Sequence, residues 1–238
     1  LKEVLFDIKF SDFADKNKFG LIPIIGASMN LFKEKGIFSG NSIEAFLNKM
    51  FKAKGKVKFK DIAVNGESPL KLIATDITNR DLLVLPDDLV KYNLDPLNLK
   101  IARAVRMSIS IPFYFNPVIL KNGNNSSFIV DGGLLSNFPV WIFDVKNKPR
   151  WPTFGLRLVS DKNLIKVNAN KSSLLNFTSD VIETMLSKDD EAFLNNKDAI
   201  RTINIRTYNI ETVQFDLSKE QMNMLYDSGY NCAKKFLL

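Results

Sequence analysis

The sequence predicts an α/β fold. Helix-like and strand-like segments alternate along it. Its 238 residues, 45% of them hydrophobic, are enough for one large domain with a sizeable core. No stretch in the middle reads as an interdomain linker, and there are no internal repeats or low-complexity segments.

Asn41 to Ala53 has apolar Ile43, Phe46, Leu47, Met50 and Phe51 on one helical face. Asn41, with Glu44 three residues on, gives a capping-box start, and Gly55 ends the helix. Leu70 to Ile77 is apolar and partly β-branched, a buried strand. Asp95-Pro96 starts a second helix that runs through Ile101, Ala104, Val105 and Ser108 and stops before Pro112. Phe115–Leu120 and Ser127–Val130 read as strands joined by the turn-rich Lys121–Asn125. Thr153–Val159 is a strand, and Ser172–Leu186 a helix with apolar Leu174, Leu175, Val181, Ile182 and Met185. Arg201–Tyr208 alternates like a strand. Ser218–Leu237 is the last helix, with Ser218 and Gln221 as a second capping box.

The chain has no histidine and one cysteine, Cys232. An intrachain disulfide, a Ser–His–Asp triad, a Cys–His dyad and a histidine or cysteine metal site are therefore excluded within it. Any hydrolytic chemistry must use another base. Net charge is +7, of which residues 1–60 supply +6 through 12 lysines against 6 acids. A basic surface suits anionic partners such as membrane headgroups, nucleic acid or acidic protein, but it is also ordinary solubility charge. No apolar run is long enough to cross a bilayer. Leu1 to Phe10 read as the inside of a domain, without initiator Met or leader, so the expectation is an amino terminus that continues upstream.

The informative stretch is Phe128-Ile129-Val130-Asp131-Gly132-Gly133. A short apolar strand ends in a carboxylate followed by two residues without side chains. Reactive groups of open α/β sheets gather beyond strand carboxyl ends, and glycines allow close approach there. Asp-Gly is also a strong hairpin dipeptide, and taken alone the hairpin is the better reading. The following Leu134-Leu135-Ser136-Asn137-Phe138-Pro139-Val140 does not alternate like a return strand.

DGGLLSNFPV, preceded by ARAVRMSISIPFYFNPV, resembles the second half of a patatin-like phospholipase domain. Asp131-Gly132-Gly133 matches that family's Asp-Gly-Gly or Asp-Gly-Ala motif. Ser108, Ser110, Pro112 and Phe113 match its small-residue helix ending in proline and an aromatic. LIATDITNRDLLVL resembles its strand pair around Thr75 and Asp76. FPVWIFD…RWPTFGLRL and the closing FDLSKEQMNMLYDSGYNCAKKFL resemble bacterial members, so the resemblance covers essentially the whole chain. It implies a three-layer α/β/α sandwich with a mostly parallel central sheet, residues 1–238 forming a single catalytic domain. It also implies a Ser–Asp dyad without histidine, in which Asp131 is the base. The glycine-rich oxyanion loop and the Gly-x-Ser-x-Gly nucleophile turn are expected upstream of Leu1. Ser28, in Gly26-Ala27-Ser28, lacks the second glycine, and it and Ser136 read as loop and turn serines.

The implied activity is that of a serine lipid acyl hydrolase acting on phospholipid or another acyl-ester lipid, with no cofactor and no metal. Gly132 and Gly133 would let the backbone turn beside the site. Ser108, Pro112 and Phe113 would shape it, with Ile111, Tyr114 and Phe115 either lining an acyl groove or simply packing in the core. Lys52, Lys54, Lys56, Lys58 and Lys60 alternate with apolar or small residues. From Lys56 onward an extended chain would put its lysines on one face, either for peripheral contact with anionic lipid or as a protected edge strand. Nucleic-acid binding is not expected, because the sequence has no aromatic–basic interleaving and no recognition-helix motif. The alternative is a catalytically inactive patatin-like module that binds membrane or a protein partner. The expected location is cytoplasmic or membrane-peripheral, with a secreted effector as a further option.

Overall fold

The computed structural model describes residues 2, 6, 8, 10–13, 34–136, 138–160, 196–208, 210, 214 and 216–238. The chain forms two compact units: Asp12–Asn137, and Leu1–Ser11 together with Phe138–Leu238. It is a mixed α/β protein.

In the first unit, β1 (Gly36–Phe38) precedes α1 (Asn41–Ala53), β2 (Leu72–Asp76), β3 (Asp81–Leu85), α2 (Ile101–Ser108), β4 (Phe113–Phe115), β5 (Val118–Asn122) and β6 (Asn125–Asp131). β1 and β4 pair in parallel. The largest sheet has the order β3-β2-β6-β5 and is antiparallel at every pairing. This corrects the expectation of a mostly parallel central sheet for the described strands. Two of its connections, β2–β3 and β5–β6, are tight turns, and a tight turn can join only antiparallel neighbours. In β5, Val118 and Leu120 point into the core while Ile119 and Lys121 face out. They meet Phe59, Leu83, Leu85, Leu89, Met107 and Ile129 in one buried cluster.

α1 has the expected span but a different cap. Gly40 is the N-cap, at φ 68°, and Asn41 does not cap the helix. Instead the Asn41 N–H donates to Ser39 Oγ (3.1 Å), and Glu44 pairs with Arg103 at 2.9 Å rather than reaching back to the cap. The helix expected from Asp95 to Ser108 is broken. Asp95 accepts from the Leu97 N–H (2.9 Å) over a single 3-10 turn, Pro96–Asn98, and α2 starts only at Ile101. Between them Leu99 and Lys100 are extended, because Phe59 N–H donates to Leu99 O and Ile101 N–H to Val57 O. The lysine run is not one extended strand either. Lys52 lies in the last turn of α1, Lys54 is its C-cap, and Phe59–Asp61 is a 3-10 turn with Phe59 fully buried. The Val57 and Lys58 N–H groups both donate to Asp61 Oδ2 at 2.8 Å, which curls the backbone there.

In the second unit, β7 (Gly155–Ser160) pairs in parallel with β8 (Thr202–Tyr208), preceded by the short α3 (Asn196–Ile200). α4 (Lys219–Leu237) packs on β8. Its capping box forms as expected: Gln221 N–H donates to Ser218 Oγ (3.2 Å) and Ser218 N–H to Gln221 Oε1 (2.9 Å). Ser28 and the expected helix 172–186 lie outside the described residues. Among the described residues no helix is long and apolar enough to cross a membrane.

Candidate functional site

β6 is held on both sides, by β2 and β5, and it carries Asp131 at its carboxyl end. There the chain does not turn back as a hairpin. It enters a 3-10 turn, Gly132–Leu134, for which Asp131 is the N-cap: Gly133 N–H donates to Asp131 Oδ1 at 2.7 Å. The hairpin reading of Asp-Gly is thereby excluded. Gly132 is required by packing. A Cβ there would lie 2.6 Å from both Cγ2 and the carbonyl oxygen of Ile73 on β2. Gly133 contributes its N–H. Ser136 is turn chemistry, its N–H donating to Gly132 O at 2.9 Å, and Asn137 lies outside the described residues.

Burial pushes the Asp131 carboxyl up to about 6, and the Gly133 N–H only partly offsets this by favouring the charged form. Among the described residues no hydrogen-bond donor reaches Oδ2. A half-buried carboxylate with one oxygen fixed and the other open can accept a proton from a neighbouring hydroxyl near neutral pH.

The Asp131 N–H donates to Ser110 O at 2.9 Å, joining the strand end to the segment after α2. Ser110 is fully buried, and its Oγ donates to Arg106 O at 2.5 Å and accepts from Arg106 Nη1. The buried Arg106 guanidinium also donates from Nη2 to Ser39 O (2.6 Å) and Asn116 O (2.7 Å). It lies so close to Gly40 that a Cβ there would sit 2.3 Å from Arg106 Nε. A lone arginine on an amphipathic helix reads as a solvated cation, so nothing local to Arg106 marks this clamp. The Gly40 position, just before a helix, was the available hint.

Ser108 lies in the last turn of α2, and Pro112 follows it by four residues. Phe113 is part-exposed at φ 66°, in the left-handed region that bulky residues avoid. The hydrogen bonds of Asp131 run to Ser110 and Gly133, and not to Ser108, Pro112 or Phe113. Phe115 is a core residue, 3% exposed.

Thr75 and Asp76, at the end of β2, are buried. Asp76 has a structural task. Its Oδ1 accepts from the Thr78 and Asn79 N–H groups, and its Oδ2 from Tyr92 Oη (2.6 Å) and Asn79 Nδ2 (2.7 Å). Burial pulls this carboxyl upward, but the Tyr92 and Asn79 hydrogen bonds outweigh it and hold the group below the usual carboxylate range. A cavity of about 470 Å³ opens beside it, lined by Thr78, Asn79, Lys91, Tyr92, Asn125 and Ser127 among others. The β2–β6 register (Ala74 opposite Asp131, Asp76 opposite Ile129) puts that cavity at the other end of the sheet from Asp131. Its polar wall does not suit an acyl chain. Among the described residues no group of three acidic or cysteine side chains could hold a metal ion.

The sequence model of the Patatin-like phospholipase family matches residues 2–144. The chain is 32% identical to YqhO of Bacillus subtilis (strain 168) over 209 residues, covering 88% of this chain and 70% of that protein. It is 23% identical to a protein of Acanthamoeba polyphaga mimivirus over 213 residues, covering 87% and 67% of the two chains. Among solved structures, VipD from Legionella pneumophila aligns over 99% of this chain and 45% of its own, with a TM-score of 0.43 and 16% identity.

Proposed function

Since the chain belongs to the patatin-like phospholipase family, we propose that it is the Asp-bearing part of a serine lipid acyl hydrolase in which Asp131 is the general base of a Ser–Asp dyad. The observation that carries the reading is the Asp131 carboxyl itself. It sits at a strand end, burial pushes its pKa up to about 6, Gly133 N–H pins Oδ1, and among the described residues no donor reaches Oδ2.

In this reading the nucleophilic serine comes from sequence upstream of Leu1. Its hydroxyl attacks the ester carbonyl of a lipid and passes its proton to Asp131 Oδ2. The oxyanion is held by backbone N–H groups of the same upstream segment, each worth about 3–4 kcal/mol in comparable sites. Protonated Asp131 then returns the proton to the leaving alkoxide, and a second cycle with water releases the fatty acid. No imidazole is needed, because a carboxyl near 6 is already a competent base at neutral pH. Gly132 lets the turn lie against β2, and Ser110 and Arg106 fix the backbone from which the carboxylate projects. Ser108, Pro112 and Phe113 remain candidates for the acyl groove. The lysines at 52, 54, 56, 58 and 60 are a candidate contact with anionic headgroups at a peripheral membrane position.

The test is hydrolysis of phospholipid and of a soluble short-chain acyl ester by the chain together with its upstream sequence. The wild type should be active and Asp131→Asn should lose at least about 10³-fold in kcat, since the whole dyad acts as one unit. Full activity in Asp131→Asn would end the assignment.

A further inference from the structure

Residues 141–151 expose both tryptophans of the chain. Tryptophan is ordinarily among the most buried side chains on average. Here Trp141 is 47% and Trp151 73% exposed, with Phe143 at 51%. The arrangement is anchored, because Val140 is buried at the start of the 3-10 turn Val140–Phe143 and so holds Trp141 and Phe143 outward. Lys146, Lys148 and Arg150 are exposed between the aromatics, and the Arg150 guanidinium lies 5.7 Å from the Trp151 ring. Asp144, the only acid in the segment, is engaged by Arg201 Nη1 at 2.5 Å and Nη2 at 3.1 Å. The free charge is therefore positive.

Two physical facts select the occupant. Indole rings prefer the headgroup level of a bilayer, where one edge is apolar and the other wet. Cations beside them gain from the negative potential of anionic lipid. A protein partner would need an apolar patch without the intervening charges, since charged residues are depleted at the centre of protein interfaces. Nucleic acid would leave Phe143 and Trp141 without a role.

We propose that the 141–151 segment docks on an anionic phospholipid surface, with Trp141, Phe143 and Trp151 entering the headgroup region and Lys146, Lys148 and Arg150 meeting lipid phosphates. It uses none of the lysines of the Lys52–Lys60 run, and it does not need Asp131 to act as a base.

Because both tryptophans lie in the segment, the intrinsic fluorescence of the chain reports on it. The experiment adds mixed phosphatidylcholine–phosphatidylglycerol vesicles, or pure phosphatidylcholine vesicles, to the chain and follows emission and vesicle flotation. Anionic vesicles should shift the emission to the blue and carry the protein upward, and high salt should reverse both. The triple variant Lys146→Gln/Lys148→Gln/Arg150→Gln should lose roughly a hundredfold in partitioning. Its circular dichroism should be unchanged, because all three side chains are exposed. Neutralising Lys52, Lys54, Lys56, Lys58 and Lys60 instead should leave the blue shift in place.

Flotation without a spectral shift would place the contact elsewhere and overturn the proposal, as would no flotation at all. A blue shift that follows protein concentration without vesicles would assign the segment to contact between copies of the chain, and would overturn it too. Hydrolysis of a soluble ester by the chain together with its upstream sequence is read in parallel: its absence alongside intact docking would defeat the hydrolase reading alone.

Discussion

The backbone N–H of Asp131 donates to the carbonyl oxygen of Ser110 at 2.9 Å, so the carboxylate at the end of β6 is positioned by the residues that follow α2. Ser110 is in turn clasped by Arg106 through its hydroxyl. Strand end, helix end and arginine form one hydrogen-bonded chain.

Arg106→Lys should weaken this chain. Arginine serves Ser110, Ser39 and Asn116 with one planar fork, and an ammonium on a flexible stem cannot match that geometry. The expected cost is about 3–6 kcal/mol, from two lost charge-assisted bonds. Urea denaturation at neutral pH measures it.

Gly132→Ala should damage both stability and activity. The new methyl would stand 2.6 Å from Ile73 backbone and side-chain atoms, so the turn or β2 must move. Overpacking of this kind costs about 1–3 kcal/mol. A displaced carboxylate should lower kcat on the order of a hundredfold, with KM little changed. Steady-state kinetics on a soluble ester separate the two parameters.

Asp131→Asn should stabilise the fold at neutral pH. The folded carboxyl lies near 6 against 3.8 for the ordinary group. Below about pH 4 it is protonated in the folded and unfolded chain alike and costs nothing. As pH rises from about 4 to about 6 the unfolded chain gives up its proton first, and stability falls. The amide removes that cost while keeping an acceptor for Gly133 N–H. The gain should be at most about 3 kcal/mol above pH 6 and vanish below pH 4. Thermal melts at pH 4 and pH 7.5 decide it.

Tyr92→Phe removes the 2.6 Å hydrogen bond to the fully buried Asp76. A carboxylate losing a buried donor should cost about 1.5–3 kcal/mol at neutral pH. Asp76 is held below the usual range, so its contribution is present above about pH 4 and is lost as pH falls through the folded value. The penalty should therefore shrink in acid, a trend opposite to that of an acid-insensitive packing defect.

Local signals in the sequence were legible. Ser218 and Gln221 announced α4 and its capping box, and Asp131-Gly132-Gly133 stood out because an apolar run stops at an acid followed by residues without side chains. Distant pairings were not. Lys100 is extended because it bridges Lys58, forty-two residues away, and no window around Asp95–Ser108 contains that partner. The cap of α1 is Gly40 rather than Asn41, and position 40 must be glycine because Arg106, from a distant part of the chain, fills the space where a side chain there would stand. The direction of the central strands follows from how their ends connect, which periodicity does not carry. Arg106 itself is invisible in sequence, since its acceptors are carbonyl oxygens brought together only by folding.

In the proposed function, burial makes Asp131 a base suited to neutral pH. The most direct measurement is the pH dependence of kcat/KM for a soluble acyl ester, with the upstream sequence in place. The rate should fall in proportion to acidity below a single ionisation near pH 6, which Asp131→Asn should abolish together with the activity. A rate that stays level down to pH 4, or an ionisation near 6 that survives in active Asp131→Asn, would contradict it.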